Sequence, residues 1–368
     1  MRTAVVILNY NTRDFLQKFL PPLLHSMPEG AEVVVADSCS TDGSMELMDE
    51  LFPTVKQVRL SNNYGFTGGY NRAFKAVCEL PDAKDLEYFV LINSDIEVED
   101  GWLEPLISWM DSHPHCAACA PKLHSWFEKD KFEYAGAAGG FIDCYGYPFC
   151  RGRVMKRLET DCGQYDSPAD VFWATGACLL VRKETYSRMG GLDDRFFAHM
   201  EEIDMCWRFA LEGMKVTVVP QSVVWHVGGG TLPNDSPWKL KLNFRNNLMM
   251  LQNNLAKTYS LQEIRELTPD KAARKACSRA KMTICFRMAL DLCSAMVYRL
   301  TGHKDKYKAV LEAHKEFKAM GKEVSVDEVE TYASSHRTID GPKMYGSWIV
   351  PLAFMKGNSI FEHLRKTL

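Results

Sequence analysis

LINSDIEV, Leu91 to Val98, carries an apolar run into Asn93, Ser94 and Asp95. A strand that ends on oxygen-bearing side chains delivers them to its carboxyl edge, where open α/β sheets bind their ligands. Asp95 is thereby placed to meet a divalent cation. A hard cation such as Mg²⁺ or Mn²⁺ takes one or two carboxylates from the protein and leaves the rest of its shell to substrate phosphates, so a nearly isolated aspartate suffices. The partner ligand this predicts is a diphosphate. Helix capping is the competing reading of the segment, since aspartate is a favoured N-cap residue.

Upstream of this segment, short β-rich runs alternate with helical stretches: Ala4 to Leu8, a helix near Thr12 to Leu24, Val33 to Ala36, and a helix near Ser44 to Leu51. Lys56 to Leu60, a helix near Gly68 to Glu79, and Tyr88 to Asn93 continue the series. Alternation at this spacing predicts βαβ units and a doubly wound, mainly parallel sheet. The runs are continuously apolar because central strands are buried on both faces. Past Trp102 the pattern loosens into the aromatic and glycine-rich Glu133 to Cys150, expected to be an irregular loop or lid over the substrate. Ala174 to Arg182 then reads as a strand. From Pro237 the composition turns helical to about Val324, with one break expected at Thr301-Gly302, and a basic amphipathic end closes the chain. The expected organisation is a catalytic domain over 1–236, with a nucleotide-binding half (1–100) and an acceptor half (101–236), followed by a helical region over 237–368.

The chain has 368 residues and a formal net charge of -3, which argues against a nucleic-acid partner, since such a partner normally demands a basic excess. Twelve cysteines without framework spacing read as reduced thiols. Residues 1–9 enter a strand-like run too short for a signal peptide, and no apolar run reaches the ~18–20 residues that span a bilayer. A cytoplasmic protein is expected. Met282 to Leu300 is interrupted by Arg287, Asp291 and Arg299, so it is expected to pack on the domain, lie at a membrane surface or form a dimer contact; Trp348 to Phe354 reads the same way.

Three further segments carry chemistry. VVVADSCSTDGS puts Asp37 at a sheet edge, where an acid bonds a ribose or base, while Ser40 and Asp42 cap the next helix. SNNYGFTGGYNRAF sets Gly65, Gly68 and Gly69 before a helix, which lets backbone approach a ligand. It matches neither G-x-G-x-x-G nor the P-loop, which disfavours a hydride-transfer enzyme or a P-loop NTPase. HMEEIDMCWR groups Glu201, Glu202 and Asp204 at a helix start. Neighbouring carboxylates raise one another's pKa, which suits Glu202 to accept a proton near neutral pH. VVWHVGGGT ends an apolar run on His226, an imidazole able to complete the shell of a cation such as Mn²⁺. CAAC, Cys116 to Cys119, lacks a second pair of zinc ligands and reads as a buried strand followed by a proline turn.

In this order, over Thr3 to Leu255, these motifs resemble the inverting family 2 glycosyltransferases of the GT-A fold, in their rhamnosyltransferase-like branch. The resemblance implies that Asn93-Ser94-Asp95 stands for the family's D-x-D, with Asp95 and His226 on Mg²⁺ or Mn²⁺. It makes Glu202 the base, and the 24-residue separation of Glu202 and His226 fits the pattern. The donor-binding set is then Asn9, Asp37, Asn63, Gly65, Gly68, Asn71, Asn93, Ser94, Trp173, Thr175 and Gly176, and Arg245 to Asn247 fall where relatives contact donor phosphates or the metal-site loop. Two departures stand out. Asn93 removes one charge from the D-x-D, and Glu202 stands where many relatives have aspartate, which keeps Glu201 and Asp204 as base candidates. The implied reaction moves a hexose, with rhamnose favoured, from a nucleotide-diphosphate sugar to a saccharide or lipid-linked saccharide in polysaccharide synthesis at the inner face of the cell membrane. A nucleotidyltransferase would need a basic glycine-rich loop near the N-terminus. A non-catalytic sugar-nucleotide binding protein would account for Asn93.

Overall fold

The computed structural model describes residues 1–228 and 236–368. Its strands are β1 (Thr3–Asn9), β2 (Ala31–Asp37), β3 (Lys56–Arg59), β4 (Tyr88–Ile92), β5 (Ile96–Val98), β6 (Cys116–Ser125), β7 (Gly140–Ile142), β8 (Pro148–Cys150), β9 (Arg153–Val154), β10 (Arg157–Leu158), β11 (Ala169–Val171), β12 (Cys178–Arg182) and β13 (Lys215–His226). Helices α1 (Arg13–His25), α2 (Ser44–Leu51), α3 (Gly65–Cys78), α4 (Glu104–Ser112), α5 (Lys183–Arg188) and α6 (Glu201–Leu211) lie among them. The rest is helical: α7 (Pro237–Glu263), α8 (Pro269–Leu300), α9 (Lys304–Met320), α10 (Val326–Ser335), α11 (Ile349–Lys356) and α12 (Ile360–Thr367).

The main sheet runs β11-β13-β6-β12-β4-β1-β2-β3, with β5 also on β13. Strands β3, β2, β1 and β4 are parallel, as expected, but the sheet as a whole is mixed, with four parallel and four antiparallel pairings. Both faces are covered. Ala4 and Val6 of β1, Val34 and Ala36 of β2, and Phe89 and Leu91 of β4 enter one core with α3, α6 and α7. Their alternates, Val5 and Ile7, Val33 and Val35, and Val90 and Ile92, enter a second core with α1, α2 and α4. The period-two alternation of a strand thus feeds two apolar layers, and Phe74 of α3 stacks on Phe89 with centroids 4.0 Å apart.

Three expectations are corrected. Strand β6 passes straight through Pro121 instead of turning; the proline, which lacks a backbone N–H, sits opposite the β6–β13 register shift between Val218 and Val223, where β13 carries the extra residues and bulges. Within the stretch expected to be irregular, β7 and β8 pair and, with β9 and β10 just beyond it, form a small antiparallel sheet, β10-β9-β8-β7, against which α11 and α12 bury Ile349, Ile360 and Leu364. The helical run breaks not only at Thr301-Gly302 but also before Pro269, whose ring suits the first turn of α8. The C-terminal helices share a core with the sheet, since Ala273, Phe317 and Val329 belong to the same apolar cluster as β1 and β4.

Candidate active site

The carboxyl ends of β1 and β2 form one wall. Asn9 and Asp37 are paired in register and buried. The Asn9 amide donates to Asp37 Oδ1 at 2.7 Å and to Ser40 Oγ at 3.0 Å, Thr12 Oγ1 donates to Asn9 Oδ1 at 2.5 Å, and the Ser40 N–H donates to Asp37 Oδ2 at 3.0 Å. Each Asp37 oxygen retains capacity for a further donor, such as a ribose hydroxyl or a base N–H.

The second wall joins β4, β5 and β13. Residue His226, the last of β13, pairs in register with Ile96, next to Asp95. Its Nε2 lies 3.2 Å from Asp95 Oδ1 and 3.4 Å from the Asn93 amide nitrogen, while the Gly228 N–H donates to Asp95 Oδ2 at 3.1 Å. Ser94 is buried between them in sequence. Gly229, Gly230 and Thr231, the rest of the glycine run, lie outside the described residues. On the other side of the imidazole, Glu133 Oε1 is 3.3 Å from Nδ1. Burial disfavours a charged His226, but Asp95 and Glu133 on either side outweigh it and push the imidazole up to about 10.

Two cis ligands at about 2.1 Å from an octahedral Mg²⁺ or Mn²⁺ sit about 3.0 Å apart. The 3.2 Å separation of Asp95 and His226 fits that pair, and the donor set, one carboxylate and one imidazole, suits Mn²⁺ once the cation displaces the imidazole proton that Asp95 and Glu133 hold. Among the described residues no group of three or more His, Cys, Asp or Glu side chains is arranged to hold a metal ion. Substrate oxygens would therefore fill the remaining positions.

The third element is the turn into α6. Phe197, His199 and Met200 all have φ between 65° and 72°, a left-handed conformation that costs a non-glycine residue free energy and gathers at functional sites. Asn246 of α7 holds the turn: its amide donates to the carbonyls of Phe196, Ala198 and His199 at 2.8–2.9 Å, and Arg245 Nη2 donates to Phe196 O at 2.9 Å. The turn presents Glu201 and Glu202. Oε2 of each, like His199 Nε2, is shielded from solvent with no hydrogen-bond partner among the described residues. Burial raises Glu202 to about 7 and, with the Glu202 charge, lifts Glu201 well above the carboxylate range. For Glu202 the cause is thus chiefly burial, not the like charges expected from sequence. Burial and the nearby Lys239 bring His199 down to about 4.

Glu202 and the β4 edge meet across one turn. The Asn93 N–H donates to Ala177 O at 2.9 Å, and a Cβ on the adjacent Gly176 would sit 3.8 Å from Glu202 Cβ.

Several expected site residues have other employment. Asp204 is fully buried and accepts from Arg208 Nε at 2.8 Å, Asn253 at 2.9 Å and Asn254 at 2.8 Å; it ties α6 to α7 and is removed from the base candidates. Asn71 spends both amide hydrogens on Leu192 O and Asp194 and both oxygen lone pairs on Tyr186 and Leu192 N–H, which leaves nothing for a donor. Asn71 and Asp204 line a separate cleft of about 570 Å³ with Arg195, Arg208 and Lys257. Trp173 is core: it packs flat on Gly140, and its indole N–H donates to Phe141 O at 3.0 Å. Thr175 is buried against Gly136 and accepts from the Ala177 N–H at 3.2 Å. The Gly65 N–H is bonded by Asn63 Oδ1 at 2.9 Å, and the space a Cβ would take is filled by Phe197. At Gly68 that space is filled by Arg72 and Tyr64. These glycines seat α3 against protein. Arg245, Asn246 and Asn247 are buried, neither a solvated face nor a phosphate contact; Asn247 donates to Gly146 O at 2.7 Å. Glu133 was not among the expected residues. Its only local signal is an isolated acid opening a glycine-rich stretch.

A model of glycosyl transferase family 2 matches residues 4–160. The N-acetylglucosaminyl-diphospho-decaprenol L-rhamnosyltransferase of Mycobacterium tuberculosis is 26% identical over 60% of this chain and 75% of its own. The rhamnosyltransferase WbbL of Escherichia coli K12 is 22% identical over 66% of this chain and 90% of its own. Among solved structures, GalNAc-T7 with UDP, GalNAc and Mn²⁺ superposes with a TM-score of 0.54 at 17% identity, over 73% of this chain; the chain spans about half of that structure, at 51%. That likeness establishes the fold, GT-A.

Proposed function

We infer that the chain is a family 2 glycosyltransferase, on the branch similar to rhamnosyltransferases, and that it transfers a hexose, with inversion, from a nucleotide-diphosphate sugar to a hydroxyl of a saccharide or lipid-linked saccharide in cell-surface polysaccharide synthesis. The observation that carries the reading is the juxtaposition of two unlike elements across the 175–177 turn: the Asp95–His226 pair on one side, and on the other a glutamate raised to about 7. Asp37 and Asn9 hold the nucleoside. A Mg²⁺ or Mn²⁺ held by Asp95 and His226 would neutralise the diphosphate as it leaves. Glu202 takes the proton from the acceptor hydroxyl as that oxygen attacks the anomeric carbon from the face opposite the diphosphate, which inverts the configuration. A base whose pKa lies near the working pH combines a useful deprotonated fraction with adequate basicity. Rhamnose is the proposed sugar, because both relatives described above are named for it.

A panel of sugar nucleotides with and without Mn²⁺, read by thermal stabilisation and by slow donor hydrolysis, tests the reading without knowledge of the acceptor. Stabilisation by a nucleotide-diphosphate hexose, dependent on Mn²⁺ and lost in Asp95→Ala, is expected. Stabilisation without turnover under any condition would favour a non-catalytic binding protein, and release of pyrophosphate from a nucleoside triphosphate would favour a nucleotidyltransferase.

A further inference from the structure

Helix α8 is polar inside and apolar outside over its second half. Arg287 and Asp291 are buried and paired at 2.9 Å, and Arg287 also donates to Asn247 Oδ1 at 2.7 Å and lies 3.7 Å from the Tyr147 ring. The opposite face exposes Met282, Phe286, Leu292, Met296, Val297 and Leu300, from 43% to 81%. At 100° per residue these six side chains occupy an arc of about 140°, and 18 steps of 1.5 Å make the stripe about 27 Å long. Soluble helices normally carry the reverse arrangement, and an uncovered stripe of this size marks a contact surface. A second apolar patch adjoins it: Phe286 packs near Trp348, just before α11, and α11 exposes Phe354 and Met355 at 69% and 77%.

Charge selects the occupant. Residues 269–368 hold 18 Lys and Arg against 11 Asp and Glu, a net of +7 within a chain of net -3, so residues 1–268 carry -10. Arg299 stands near one end of the stripe, with Lys304 and Lys308 exposed just beyond it, while Lys281 at the other end is paired with Glu323 at 2.6 Å. Two copies meeting on this face would oppose like charges. An anionic bilayer attracts them, and Lys and Arg at the headgroups with apolar side chains at the acyl boundary is the arrangement of an interfacial helix.

We propose that the outer face of α8, with the exposed end of α11, docks this protein on an anionic lipid surface. No described helix is long and apolar enough to cross a membrane, so the contact is interfacial. The proposal goes beyond sugar transfer and does not depend on it.

The full chain is sedimented with vesicles of phosphatidylcholine containing roughly one third phosphatidylglycerol and with vesicles of phosphatidylcholine alone, and its mass is measured without lipid by analytical ultracentrifugation. Binding to the anionic vesicles is expected, reduced at least about tenfold by the pair Met296→Glu and Leu300→Glu. Phe127→Glu, at a 70% exposed phenylalanine in the β6–β7 connection, should bind like wild type. All three proteins should melt alike, because the substituted side chains are exposed. Equal binding by wild type and the double variant, no binding, or neutral vesicles bound as well as anionic ones would overturn the proposal. A lipid-free dimer that ignores vesicles and is broken by the double variant would assign the face to a second copy. Transfer to a soluble acceptor is unaffected by any of these outcomes.

Discussion

Two walls of the site are built in opposite ways: the first, at the ends of β1 and β2, and the third, the turn into α6. At the ends of β1 and β2, Asn9, Thr12, Asp37 and Ser40 satisfy one another across two adjacent parallel strands. In the turn into α6 the backbone is held in left-handed conformations by Asn246 and Arg245, which lie on another helix, and one oxygen of each carboxyl group it presents, Oε2 of Glu201 and of Glu202, is shielded and unpartnered among the described residues. Apart from Ser38 Oγ, which is buried without a partner, the first wall is a relaxed polar network suited to binding a nucleoside in its ground state. The turn into α6 stores free energy: an unpartnered buried polar group costs about 1–3 kcal/mol. Relaxed groups bind; costly ones do chemistry. Substitutions in the two walls should therefore separate donor affinity from turnover.

The largest effect is expected from Glu202→Gln, which keeps the shape and removes the proton acceptor. Transfer should fall by about 10²–10⁴-fold, with donor affinity by thermal shift unchanged; full retention of transfer would move the base to Glu201. Asn246→Ala comes next. It removes the donor to three carbonyls and lets the turn relax, so kcat should fall about 10–100-fold with donor affinity preserved, a loss on the scale of misplacing a catalytic group. Equal loss of donor affinity would mean that the turn serves both walls. The smallest effect is expected at Asp37→Ala, which should raise the donor KM about tenfold, the scale of one hydrogen bond to a charged group, and leave kcat at saturating donor unchanged.

The same contrast explains what the sequence discloses. The relaxed wall lies at strand ends: the apolar runs of β1 and β2 end on Asn9 and Asp37, as that of β4 leads into Asn93, so strand boundaries and edge residues can be read within a few positions. Helix α3 begins three residues before its expected start because Asn63 caps the Gly65 N–H, a local bond that the glycine pattern hides. The strained wall depends on distant partners. Nothing near Asp204 announces that Asn253 and Asn254 will consume its oxygens, and nothing near Asn71 announces Tyr186 and Leu192. Trp173 looks like a pocket residue until Gly140 is brought under its ring. Glu133 becomes visible only when β13 carries His226 to it. Strands of two or three residues, such as β9 and β10, are too short to show a period.

Glu202 also couples catalysis to pH and stability. Its carboxyl is raised from 4.5 to about 7, so between those values the folded chain holds a proton that the unfolded chain has released, and stability falls as pH rises through that window. The most direct test of the central claim, that the half-buried Glu202, with Oε2 shielded from solvent, is the base, is the pH dependence of kcat at saturating donor and Mn²⁺. The rate should rise once with increasing pH, with a midpoint near 7, and the rise should be absent from the residual activity of Glu202→Gln. A flat profile between about pH 5.5 and 8.5, or a midpoint at the ordinary carboxylate value of about 4.3, would contradict it.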